Sequence, residues 1–258
     1  MALCKTEALI LHSRKQGETS KILSMYTREF GKLSLMAKGS RGIRSKHSGA
    51  LETFNHVSMV FYHKQTRGLQ YLSQVSLLSR FPSLLNELGK LSLASIPCEI
   101  VTRAEDTGHP NPELYDLLLH TLQAVDQAQT GHKQIIRAFK LKFLALSGFA
   151  PDFKCMECGT TELDAVNTLS IKEGGYTCSA CPAPDGPLYP MNRHALELLR
   201  WFAEIPIEQT AQAACSKHTA EHLDTFLHDI LCYHIDALCQ LKSEIYIKQL
   251  LNGLKKES

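Results

Sequence analysis

The chain has 258 residues, 44% hydrophobic and 21% charged, a composition that excludes a disordered or low-complexity protein and leaves room for two or three domains with cores. Its net charge of +2 hides an asymmetry: residues 1–80 carry 13 Lys/Arg against 4 Asp/Glu, while the rest carries 15 against 22. A basic first third on an acidic body points to a domain that binds a polyanion, with nucleic acid favoured over a merely solvated basic face.

The first 80 residues have the texture of strands. Ala8–Leu11 and Ile22–Thr27 are short apolar runs. Leu33, Leu35 and Ala37 alternate with Ser34, Met36 and Lys38, and Val57, Met59 and Phe61 alternate with Ser58, Val60 and Tyr62. Leu69–Leu77 is a fifth strand candidate. A period of two with glycine-containing breaks predicts a half-buried antiparallel sheet. Five strands in so short a span is the size of a small closed barrel such as the OB-fold.

Between the third and fourth strands runs Lys38-Gly39-Ser40-Arg41-Gly42-Ile43-Arg44-Ser45-Lys46-His47. Its glycines let the backbone approach a phosphate chain, and Lys38, Arg41, Arg44 and Lys46 neutralise it. Arg14, Lys15, Lys21, Arg28 and Lys32 add to the same positive field. Tyr26, Phe54, Phe61, Tyr62 and Tyr71 are the aromatics on which bases can stack. Phe61 shares a strand face with Val57 and Met59 and belongs to the core. Tyr62 lies on the opposite face and is the better stacking candidate.

After Phe81-Pro82 the pattern turns helical. Asn111–Gln129 has a capping Asn, Pro112 in the first turn, and Leu114, Leu117, Leu118, Thr121, Leu122 and Val125 on one face. A second helix spans Lys133–Ser147, and Gly148-Phe149-Ala150-Pro151 closes it. Helices resume at Arg193–Ala203, then Ala213–Leu241 with room for a break, then Ser243–Leu254.

Between these helices stand Cys155-Met-Glu-Cys158 and Cys178-Ser-Ala-Cys181, with nineteen residues separating the pairs. Two such pairs supply four thiolates to one ion, the spacing of a tetrahedral Zn²⁺ site, in preference to two disulfides or unrelated thiols. Four protein ligands leave no open position, so one structural zinc is expected. The organisation is therefore α+β and multidomain: a basic barrel over 1–80, a helical domain over 81–150 and 187–258, and a zinc module over 151–186 inserted between helices.

Nine cysteines, an odd number, fit reduced thiols inside a cell, with Cys4, Cys98, Cys215, Cys232 and Cys239 as small buried hydrophobes. No apolar run is long enough for a membrane span, and the opening residues lack that of a signal peptide. Gly31-Lys32 is followed by Leu33, so there is no P-loop, and G-x-S-x-G and H-E-x-x-H are absent. These absences point away from an enzyme and from a bound nucleotide. His218 with His222, and His228 with Cys232, have helical spacing for a second metal site, although a mixture of core and surface side chains is the commoner meaning of such a pattern.

In order along the chain, the motifs resemble the RecO family of bacterial DNA repair proteins. They are Ala8-Leu9-Ile10-Leu11, Gly17-Glu18-Thr19-Ser20, Tyr26-Thr27-Arg28-Glu29-Phe30-Gly31-Lys32, Ala37-Lys38-Gly39-Ser40-Arg41, Phe139-Lys140-Leu141-Lys142-Phe143-Leu144, Gly148-Phe149-Ala150-Pro151 and the two cysteine pairs. The resemblance implies an N-terminal OB-fold, a helical domain and a zinc-ribbon-like insertion. It implies a recombination mediator in the bacterial cytoplasm, near the nucleoid. Such a mediator binds single- and double-stranded DNA, anneals complementary strands without ATP, works with RecR and RecF, engages the C-terminal tail of SSB and helps load RecA. Arg137, Lys140 and Lys142, beside apolar positions, are the candidates for the acidic SSB tail. The competing reading is a zinc-ribbon adaptor whose basic barrel binds RNA or protein.

Overall fold

Strand β1 (Ala2–Gln16) is long enough to serve two neighbours. It pairs antiparallel with β4 (His56–His63) through Ala2–Leu9, and with β2 (Ser20–Thr27) through Ala8–Gln16. A register shift between Ile10 and His12 lets it turn from one partner to the other. β2 continues antiparallel to β3 (Gly31–Ala37), and β4 is antiparallel to β5 (Leu69–Ser79). β3 and β5 then pair in parallel, Ser34 with Leu69 and Met36 with Tyr71, which closes the barrel in the order β1-β2-β3-β5-β4. The parallel pair departs from the all-antiparallel expectation, and the reason is parity. Strand direction cannot alternate all the way round a closed ring with an odd number of members.

This is a computed structural model, and it describes residues 2–40, 48–163, 166–182 and 185–254. Inside the barrel the alternation holds residue by residue. Ala8, Ile10, Leu23, Met25, Leu33, Leu35, Ala37, Val57, Met59 and Phe61 form one buried cluster, with Leu51 among them. Burying a side chain of this size is worth about 1.5–3 kcal/mol, so the cluster dominates the stability of the barrel.

Backbone packing groups the chain into two units, Met1–Asp126 and Gln127–Ser258. The first holds the barrel with helices α1 (Pro82–Asn86), α2 (Leu88–Ala104) and most of α3 (Pro112–Gln127). Asn111 caps α3 as its sequence requires, accepting from the Leu114 N–H at 3.0 Å. The segment before α3 lies directly on the barrel. Gly108 N–H donates to the Lys32 carbonyl at 3.1 Å, and Gly31 (φ +61°) passes so near His109 that a β-carbon would sit 2.0 Å from its carbonyl oxygen.

The second unit begins with α4 (His132–Leu146), whose buried residues include Ile135, Ile136, Phe139, Leu141, Phe143 and Leu144. A four-stranded sheet follows: β6 (Asp152–Cys155), β7 (Val166–Ser170), β8 (Gly175–Thr177) and β9 (Leu188–Asn192), in the order β6-β8-β7-β9. β9 runs straight into α5 (Arg193–Glu204), where Asn192 accepts from the Ala195 N–H at 2.8 Å. The helix expected over Ala213–Leu241 begins only after the Ser216 cap, runs as α6 (Lys217–His234) and breaks at Ile235, with a short helical turn at Asp236–Leu238. The separate helix expected over Ser243–Leu254 is α7 (Lys242–Leu254).

Candidate nucleic-acid interface and metal centre

β4 and β5 place Tyr62 directly opposite Tyr71 on the outer face of the barrel. Tyr62 keeps 42% of its surface exposed, whereas the neighbouring Phe61 is fully buried in the core. At the end of β3 a turn at Gly39 (φ +67°), closed by the Ser40 hydroxyl donating to the Ala37 carbonyl at 3.0 Å, leaves Lys38 exposed. The Lys38 ammonium lies 4.9 Å from the centre of the Tyr71 ring, and the Arg67 guanidinium lies 5.2 Å from it. Lys38, Tyr62, Tyr71 and Leu72 line a cleft of about 330 Å³. Cations over an aromatic face, beside a second exposed ring, are what a sequence-independent single-strand site requires.

The other cations named from sequence have different places. Arg41, Arg44 and Lys46 lie outside the described residues. Arg14 is exposed on β1 opposite Ile22. Lys21 is largely buried, bonding Glu52 at 3.0 Å and the Leu51 carbonyl at 3.3 Å. Arg28 holds Asp116 with both terminal nitrogens, 2.5 and 2.9 Å away, and its pKa is raised by that carboxylate. Lys32 donates to the Thr102 carbonyl at 2.6 Å. Of the sequence candidates, the structure brings together Lys38 and Tyr62. It holds Lys21, Arg28 and Lys32 in bonds within their own unit. Sequence reasoning misses Arg67 and undervalues Tyr71. Their importance comes from the β4–β5 register, which sequence spacing alone does not fix.

Among the aromatics with the composition for stacking, Tyr26 and Phe54 are buried. The Tyr26 hydroxyl reaches Glu105 at 3.3 Å, and burial together with that carboxylate raises its pKa.

In the second unit, the sulfurs of Cys155, Cys158, Cys178 and Cys181 all lie within 4.8 Å of one another. Sequence chemistry builds the knuckle. Gly159 takes φ +70° so that its N–H can return to the Cys155 carbonyl at 2.9 Å, and the Cys181 N–H returns to the Cys178 carbonyl at 3.2 Å. Cys155, at the end of β6, is brought beside Tyr176 of β8, the strand that leads directly to Cys178. Cys158 and Cys178 Sγ are 3.8 Å apart, far beyond a disulfide bond, and all four cysteines are free of disulfides. Metal–sulfur bonds of about 2.3 Å in a tetrahedron give an edge of about 3.8 Å, so the donor set fits one ion. Burial pushes the Cys155 thiol up, but N–H groups of Cys158, Cys178 and Glu157 outweigh it and bring the pKa down to about 6. Cys181 is pushed up to about 12 by its bond with Cys178 and by burial. Four crowded sulfurs cannot all ionise unaided, and a cation removes the conflict.

Arg137, Lys140 and Lys142 all lie on α4. Arg137 is buried and bidentate to Asp224 at 2.8 and 2.7 Å. Lys140 is buried and bonds Glu244 at 2.5 Å. Lys142 donates to the Ala203 carbonyl at 3.0 Å, and partial burial lowers its pKa. The suspected second metal cluster separates into pairs: the His218 and His222 rings are 4.2 Å apart, and Cys232 lies 3.6 Å from His228 Nε2. Among the described residues, the four cysteines are the one group of three or more donors able to converge on an ion.

Family profiles described as Recombination protein O N terminal and Recombination protein O C terminal match residues 1–81 and 85–244. The chain belongs to the RecO family. Among its relatives, a Pelotomaculum thermopropionicum protein is 30% identical over 96% of this chain and 94% of its own length. One from Thermoanaerobacter sp. is 28% identical over 98% and 100%, and one from Halalkalibacterium halodurans is 26% identical over 95% and 94%. All three are named DNA repair protein RecO. Across the RecO family match, the profile boundary at 81–85 falls where β5 gives way to α1.

Proposed function

We propose that this chain is a DNA repair and recombination mediator that binds single- and double-stranded DNA and anneals complementary strands without ATP. The observation that carries the proposal is the Lys38–Tyr71–Arg67 stack beside exposed Tyr62. Two anionic strands repel each other, and a cationic surface screens that repulsion. If phosphates are held and base edges left open, pairing itself supplies the driving energy. No nucleotide and no catalytic group is required.

In this reading residues 1–80 are an OB-fold, 81–150 with 187–258 a helical domain, and 151–186 a zinc-ribbon-like module held by one structural Zn²⁺ on Cys155, Cys158, Cys178 and Cys181, with β9 (Leu188–Asn192) completing the sheet of that module from beyond its expected boundary. Arg41, Arg44 and Lys46 follow Lys38 in the sequence and add their charge to the same basic segment. RecR, RecF and the SSB tail are the protein partners, with RecA loaded indirectly, in the bacterial cytoplasm at the nucleoid. Arg137 and Lys140 are already neutralised by Asp224 and Glu244, which leaves Lys142 among the three cations proposed for the SSB tail.

The test is annealing of complementary strands, bare or SSB-coated, without ATP at several salt concentrations. Acceleration that weakens steeply with salt is the expected result. No acceleration, together with tight binding of RNA or of a protein, would favour the zinc-ribbon adaptor instead.

A further inference from the structure

Tyr62 and Tyr71 are neighbours on one face, yet their surroundings differ. The Tyr71 ring already carries two cations, Lys38 at 4.9 Å and Arg67 at 5.2 Å. A nucleobase stacking on a face that either cation covers would have to displace it. Tyr62 is 42% exposed, and none of the cations described over aromatic rings lies on it.

The Arg67 side of this arrangement is built. Gln70 is 4% exposed and fastens the loop between β4 and β5. Its Oε1 accepts from the Lys64 N–H at 3.0 Å, and its Nε2 donates to the carbonyls of Lys64 at 3.0 Å and Arg67 at 2.5 Å. The Arg67 N–H returns to the Lys64 carbonyl at 3.0 Å. Gln70 is thus a buried amide whose bonds are made to the loop that carries Arg67. On the other side, the Gly39–Ser40 turn fixes where Lys38 leaves β3.

We propose that Tyr71 is a positioning residue and not a base platform: its ring holds Lys38 and Arg67 as a preformed pair for two strand phosphates, and Tyr62 alone receives a base. The inference rests on the DNA-binding reading above. Its physical content is preorganisation. Long cationic side chains lose rotamer freedom when they grip a phosphate, and a ring that holds them beforehand removes part of that cost. It also separates two energies that are usually mixed, the salt-dependent phosphate term and the salt-insensitive stacking term.

The experiment measures affinity for an oligothymidylate and for an abasic strand of equal length across a range of salt, using the full chain. The variants are Tyr71→Ala, Tyr71→Phe, Tyr62→Ala and the pair Lys38→Ala with Arg67→Ala. The double variant should flatten the slope of log K against log salt by about 0.7 for each phosphate that is no longer neutralised. Tyr71→Ala should flatten the slope in the same sense, weaken binding on the order of tenfold, and do so equally on both strands. Tyr71→Phe keeps the ring face and should remain within about twofold of the parent. Tyr62→Ala should keep the parent slope and lose affinity only where bases are present.

A Tyr71→Ala variant that keeps the parent slope and loses affinity only for the strand with bases would make Tyr71 a platform and overturn the inference. So would a Tyr71→Ala variant indistinguishable from the parent. A loss shared by Tyr71→Phe would overturn the role of the ring. A parent protein that binds neither strand at low salt would instead overturn the DNA-binding reading itself.

Discussion

Arg28 on the barrel and Asp116 on α3 form a two-pronged ion pair, Nη1 to Oδ1 at 2.5 Å and Nη2 to Oδ2 at 2.9 Å. The guanidinium also sits 5.8 Å from the centre of the Tyr115 ring. In the sequence Arg28 is one of many cations in a basic segment. In the fold it is a clasp between barrel and helix.

Breaking that clasp should cost a little stability and leave DNA affinity alone. Both side chains remain more than a third exposed, so a double-mutant cycle of Arg28→Ala and Asp116→Ala should return a weak favourable coupling in urea unfolding. Single-strand affinity of Arg28→Ala should stay within about twofold of the parent after correction for any unfolded fraction. A loss of about tenfold would return Arg28 to the binding face.

The basic segment should behave in the opposite way. Changing Lys38, Arg41, Arg44 and Lys46 together to alanine should weaken binding to every DNA sequence alike and flatten its salt dependence. Unaltered binding by that variant, with its thermal transition intact, would place the interface elsewhere.

Two glycines separate backbone strain from crowding. Gly31→Ala must adopt φ near +61° and push a β-carbon to 2.0 Å from the His109 carbonyl oxygen. A cost of about 2–5 kcal/mol is expected from the two effects together. Gly39 has φ +67° but, among the described residues, nothing within 4 Å of the added carbon, so Gly39→Ala should cost only about 1–2 kcal/mol. Equal losses in denaturant titrations would contradict the close approach at His109.

The cysteine quartet should hold one zinc per chain by elemental analysis. Its removal by a chelator should lower the melting temperature of the parent and leave a Cys155→Ser, Cys178→Ser variant unmoved. Loss of DNA binding on chelation without any loss of fold would give the metal a direct role.

Acid stability should depend on His56. Burial holds its pKa below the usual histidine value, against the pull of Glu7, whose Oε2 is 3.2 Å from Nε2. Ser79 Oγ lies 3.4 Å from Nδ1 on the other side. The unfolded chain therefore takes up the proton first, near pH 6.5. Stability should be level above that pH and fall as pH drops through it toward the folded-state value. A His56→Gln variant should show a shallower fall in melting temperature between about pH 7.5 and 5.5. An identical fall in both proteins would assign the acid sensitivity to other groups.

Much of the fold is legible in local chemistry. A period of two in Leu33–Ala37 and Val57–Phe61 states which side chains enter the barrel, because the pleat alternates strictly. Asn111 announces the start of α3, because a helix leaves its first N–H groups unpaired. Two Cys-x-x-Cys turns announce one four-sulfur cluster able to hold a metal ion, because each turn is closed by its own backbone bonds.

The parallel β3–β5 closure is not legible in that way. It follows from the parity of the ring, and no pair of residues advertises it. Nor could the sequence sort its cations. Arg28 and Asp116 are 88 positions apart, Arg137 and Asp224 87, and Lys140 and Glu244 104. The sequence by itself determined the basic segment, the alternating strands and the four-thiol centre, all set by neighbours a few residues away. Only the tertiary structure decided which charges are consumed by internal partners and which stand over Tyr71 beside Tyr62, because a salt bridge depends on distance in space and composition records only its two halves.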